Sequence, residues 1–131
     1  MTNNRIRFKR KIRTINFFTE LIGSAIFSAL FFIFISRSLS PEFEYGEILL
    51  GLYIGAAYFA GVYIPFHTYR IHIIPFISII RSLQKNKPSI LFYKIPAQII
   101  GSFIGTLIYF QFSKFVGVEA SATQMWTYQV T

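Results

Sequence analysis

Five residues carry most of the chemistry this sequence has to offer. His67, Arg70 and His72 fall within six positions of one another, and Glu20 and Gln98 stand in otherwise apolar runs. Two imidazoles five positions apart begin a metal site, but no nearby carboxylate or third ligand completes it, and the chain has no cysteine. No Gly-rich phosphate loop is present, and no nucleophile–base pair emerges from the spacing. No enzyme activity, metal or cofactor is therefore expected. Glu20 admits two readings. A buried carboxylate needs donors, and exposed backbone N–H groups would serve. Alternatively, it sits at headgroup level and pairs with the basic N-terminus.

The elements that hold these residues follow from composition. Of 131 residues, 53% are hydrophobic and 14% charged. Soluble domains carry about 25% charged residues, so an all-α membrane protein is expected, with one domain over residues 1–131. Formal net charge is +8, and six of the thirteen basic residues are Arg5, Arg7, Lys9, Arg10, Lys11 and Arg13. That cluster reads as contact with anionic lipid headgroups or a partner, on the side favoured for positive charge. Nucleic-acid binding is not expected, because an apolar run begins only a few residues later. The run is too long for the apolar core of a cleavable signal, and no A-x-A site follows it.

Residues 1–14 form the basic segment. Three runs at 15–36, 48–66 and 89–115 read as transmembrane helices, and 116–131 as an outer-side tail in which Trp126 and Tyr128 reach the interface. Gly51, Gly55, Ala56, Ala60 and Gly61, and later Gly101 and Gly105, suit close helix packing. With the N-terminus inside, eleven basic residues lie on or near the inner side, Arg70 and Lys94 among them, and only Arg37 and Lys114 lie outside. This bias requires the intervening segment to enter and leave by one face. Residues 67–74 then form a re-entrant loop of extended backbone, and 75–83 a half-helix with Pro75 at its first position. Such a helix reaches about half of the roughly 30 Å hydrocarbon core. A short helix lying on the membrane surface is the other reading of the same residues.

Three stretches together resemble the aquaporin (major intrinsic protein) family. "ELIGSAIF" from Glu20 is similar to E-x-x-x-T-x-x-F, with Ser24 for the threonine. "HTYRIHIIPFIS" is similar to H-x-S-G-x-H-L-N-P-A-V-T, with His67, His72, Pro75 and Ser78 in register. "AQIIGSFIG" from Ala97 is similar to A-Q-x-x-G-A-x-x-G. The resemblance covers residues 19–109 and implies one of the family's two inverted halves: three spanning helices and one half-helix. It implies that Glu20, with Gln98, anchors the re-entrant loop.

The departures bear on function. The family's N-P-A reads Ile74-Pro75-Phe76, and its S-G reads Tyr69-Arg70. A polar midplane donor is thus replaced by an apolar side chain, and a small residue by a bulky one. The second half is missing. The expectation is a subunit that keeps the half-fold, has lost water conduction, and packs with other membrane proteins in a bacterial or organellar inner membrane. The alternative is a half-channel that pairs with an inverted partner chain and passes a small neutral solute or gas. Ile74, Pro75 and Phe76 would then form its constriction, and His67, Arg70 and His72 its inner vestibule.

Overall fold

The computed structural model describes residues 2–38, 46–65 and 72–116. His67, Arg70, Trp126 and Tyr128 lie outside the described residues, as do the tail beyond Val116 and most of the expected loop at 67–74. Every element described is helical: α1 (Thr2–Ser38), α2 (Gly46–Tyr63), α3 (Pro75–Gln84), a 3-10 turn (Pro88–Ile90) and α4 (Leu91–Val116). Among the described residues two stretches are long and apolar enough to cross a membrane, Arg5–Ser38 and Pro88–Phe115, and Ile48–Tyr63 is a shorter apolar helix.

α1 runs unbroken for 37 residues, so the basic segment and the first apolar run are one rod of about 55 Å. Arg and Lys favour helix nearly as well as Leu, so nothing in "RIRFKRKIR" interrupts it. α2 stops at Tyr63, short of the expected 66. Pro65 explains the shortfall: the residue before a proline is pushed out of helical geometry.

α1 is the hub, with α2 packed on one side and α4 on the other; α3 packs against α4 and the 3-10 turn. The α1–α4 seam is built from small and polar residues. A Cβ on Gly101 would sit 2.3 Å from the Leu21 carbonyl oxygen, and one on Gly105 2.2 Å from that of Ala25. Lack of a side chain is what lets these backbones meet. Ser28 Oγ donates to the Ser102 carbonyl at 3.0 Å and lies 3.1 Å from Thr106 Oγ1, and Ser36 Oγ lies 2.7 Å from the Tyr109 hydroxyl. Against α2, Phe27 meets Tyr58 edge-on and Phe34 stacks on Tyr53. Gly61 closes that seam, whereas Gly51 and Gly55 have nothing within 4 Å of a Cβ.

Burial is inverted relative to a protein folded in water. The largest fully buried side chains are Gln98, Glu20, Ser24 and Ser78, while Phe115, Phe92 and Ile48 are largely exposed.

α3 is where the sequence places a half-helix, with Pro75 in its first turn. Ile74 ahead of it is extended, at φ −91° and ψ 123°. Ile73 is not: its φ of 46° lies in the left-handed region, which corrects the expectation of uniformly extended backbone. A β-branched residue there is strained. Asn86, also left-handed, ends the turn after α3, where asparagine is tolerated. Lys87 N–H donates to the Ser82 carbonyl at 3.1 Å, and Ser82 Oγ to the Lys87 carbonyl at 3.0 Å, turning the chain toward Pro88.

Candidate functional site

Helical spacing assembles the site. On α1, Glu20, Ser24 and Ser28 recur every four residues along one buried face. On α4, Lys94, Gln98, Gly101 and Gly105 recur at the spacing of a single helix face. The glycines draw the two helices together, and the polar residues meet at one end of the shared seam. His72 and Ile73 on the connection to α3, and Ser78 on α3, close the cluster from the third side.

Glu20 is the centre of it. Its Oε1 accepts from the His72 backbone N–H at 2.9 Å and from the Lys94 ammonium. Its Oε2 accepts from the Ile73 backbone N–H at 3.1 Å and from Gln98 Nε2 at 3.1 Å. A carboxylate offers about four lone-pair positions, and four donors converge on this one. The ion pair with Lys94 also compensates the charge, which a buried carboxylate requires. Both backbone donors belong to the two residues before Ile74, so Glu20 fixes where the chain enters α3. The left-handed Ile73 is thereby held, with its side chain buried beside Gly61.

Gln98 reaches two partners, because its Nε2 also donates to Ser78 Oγ at 3.0 Å. This ties α3 to α4 directly. The Ser78 hydroxyl lies 3.3 Å from His72 Nδ1, and Lys94 Nζ lies 3.4 Å from the same nitrogen. An ammonium only donates, so Nδ1 is the bare nitrogen and the imidazole proton sits on Nε2. His72 lies outside the long helices. Burial first, and then the Lys94 ammonium, lower its pKa to about 4, so the ring is neutral at pH 7. Ser24 Oγ and Gln98 Oε1 are buried with no partner among the described residues.

Of the residues singled out in the sequence, Glu20, Gln98 and His72 come together here. Glu20 takes backbone donors, and its cation is Lys94, not the N-terminal cluster. Lys94 and Ser78 complete the site, beyond the residues that the sequence singles out for it. By charge Lys94 belongs with the inner-side cations, and the structure buries its head group against Glu20. Its spacing of four from Gln98 was the available signal, since a lysine inside an apolar run must find a partner. Ser78 is visible in the sequence only through its register with the family pattern.

Ile74 and Phe76 project away from the cluster and are 38% and 66% exposed. Arg5, Arg7, Lys9, Arg10, Lys11 and Arg13 are all exposed along α1, from about two turns to about four turns before Glu20. Among the described residues no group of three or more His, Cys, Asp or Glu is placed to hold a metal ion. The arrangement can hold a strained connection rigidly. No family model matches this chain, and no curated protein or solved structure matches it.

Proposed function

We propose that this chain is an integral membrane protein with the architecture of half an aquaporin-like pore, kept as a scaffold after water conduction was lost. In this reading α1, α2 and α4 span the bilayer, and α3 is a re-entrant half-helix. It serves as a structural subunit of a larger membrane complex. The observation that carries it is the Glu20 site. One buried carboxylate grips the backbone N–H groups of His72 and Ile73, and Lys94 and Gln98 brace it from α4. Holding the ten residues of α3 in this way supports a placement where backbone would otherwise be unsatisfied. Polar residues inside and Phe and Ile outside support lipid as the solvent.

Loss of conduction follows from what α3 presents. Ile74 and Phe76 offer no donor to water, and an apolar constriction excludes water by dewetting. The basic N-terminus would meet anionic headgroups on the inner side. The test is osmotic water permeability of proteoliposomes, together with the mass of the particle extracted gently from its native membrane. Background permeability and a large assembly with other subunits are the expected results. Permeability well above empty vesicles would overturn the scaffold reading.

One observation favours the half-channel alternative. The apolar side of α3, from Ile74 and Phe76 to Leu83, is exposed within the single chain. An inverted partner's half-helix would cover it, and a small apolar solute would pass between. A small particle containing one other half-length chain would select that reading.

A further inference from the structure

The ring of His72 is boxed in by groups that oppose a second proton. Its Nδ1 faces the Lys94 ammonium at 3.4 Å and the Ser78 hydroxyl at 3.3 Å. Nδ1 is the bare nitrogen, so an added proton must enter there, and the contact with Lys94 then becomes donor against donor. Charged groups act on the ring from three elements: Glu20 from α1, Lys94 from α4, and Arg81 and Lys85 from α3 and the residue after it. Among the described residues none comes from α2, which meets this connection through Gly61 against Ile73. Arg81, Lys85 and Lys94 are cations, and the carboxylate of Glu20 is already engaged by Lys94.

The backbone beside the ring is poised to move. Ile73 has a φ of 46°, and the same carboxylate holds its N–H and that of His72. An imidazolium at His72 competes with Lys94 for Glu20, and the two backbone donors lose their share of it. Once released, Ile73 returns to an ordinary conformation, because only tertiary contacts keep a β-branched residue left-handed. α3 itself stays tied to α4 through Ser78 and Gln98. What opens is therefore the connection at His72 and Ile73, with the bundle intact.

We propose that the Glu20 cluster is a proton-operated latch: uptake of a proton at His72 Nδ1 opens the connection into α3, and its loss closes the connection again. The proton comes from water, and no bond other than that N–H forms or breaks. This rests on the Glu20 site as the anchor of α3 but not on the scaffold reading, since a conducting half-channel would carry the same latch. The closed ring has a pKa of about 4 against 6.5 for a free one. The ratio of open to closed chains therefore rises about thirtyfold from about pH 7.5 to about pH 5.

The test is amide hydrogen exchange of the full chain in phosphatidylcholine nanodiscs, read as protection relative to the intrinsic rate at each pH. Protection of the His72 and Ile73 amides should fall about thirtyfold over that range, and by less than about threefold in His72→Gln. Throughout, these two amides should stay at least about tenfold less protected than those of Ala25 and Gly105 on the α1–α4 seam, the mark of a local opening. The NMR signal of the His72 ring needs no variant: in the parent chain it should titrate below about pH 5. Four results would each overturn the proposal. One is protection at the two amides that does not change with pH in the parent. Another is the same fall in His72→Gln. The third is protection at the connection equal to that on the seam, which would make the event an unfolding of the whole bundle. The fourth is a ring that titrates near the free value while both amides stay protected.

Discussion

Removing Lys94 should loosen the connection into α3 more than any change on the outer surface of the bundle. In Lys94→Met, Glu20 keeps its three neutral donors from His72, Ile73 and Gln98 but loses its counter-charge. Breaking a buried pair by deleting one partner costs about 3–5 kcal/mol. Glu20→Gln acts differently. The amide offers one accepting oxygen where four donors converge, so at least two donors go without, at about 1–3 kcal/mol each. The double variant removes both charges, and its cost should fall short of the sum of the singles by about 2–3 kcal/mol. The first assay is unfolding in mixed micelles, followed by helical circular dichroism. The second exploits the absence of cysteine: Ile74→Cys becomes the sole thiol, and its labelling rate reports how firmly the connection is held. Each single variant should accelerate labelling, and the double should partly restore it. Strict additivity, with labelling unchanged throughout, would refute the claim that the pair positions α3.

Other outcomes follow from the same geometry. Gly101→Ala should destabilise by about 1–3 kcal/mol or more, since the new methyl would meet the Leu21 carbonyl. Gly55→Ala, with open space around it, should be neutral or gain up to about 1 kcal/mol of helix propensity in the same unfolding assay. His72 has a folded pKa of about 4 against 6.5 for the free side chain. The folded state therefore binds fewer protons between those values; its stability is full above pH 6.5 and falls as pH drops through that window. His72→Gln should flatten this slope, and an identical slope in both proteins would contradict it. On the scaffold reading, I74N/F76A should leave proteoliposome water permeability at background, because a polar donor at the entrance of α3 alone builds no continuous water path.

Several features were legible before the structure. Pro75 marks the start of α3 because its missing N–H costs nothing in a first turn. Glu20 and Gln98 stand out because polar side chains in apolar runs must find partners. Other features were hidden for physical reasons. The basic residues stand out by their charge, which masks the strong helix propensity that extends α1 to Thr2. Lys94 resembles a topological charge in sequence, and only its spacing of four from Gln98 places it on the seam. Ile73 adopts a conformation that isoleucine disfavours, so no local rule points to it; tertiary donors to Glu20 impose it. The packing roles of the glycines divided in a way composition does not reveal: Gly61, Gly101 and Gly105 close seams, and Gly51 and Gly55 face outward.

In the proposed architecture α3 enters and leaves by one face of the membrane. Single cysteines at Lys11, Arg37, Lys85 and Lys114, probed in sealed, oriented vesicles with a membrane-impermeant maleimide, test this directly. The account predicts that Lys11→Cys and Lys85→Cys label from the same side, and Arg37→Cys and Lys114→Cys from the other. Labelling of Lys85→Cys from the side opposite Lys11→Cys would make the α3 segment a crossing and would contradict the half-pore architecture.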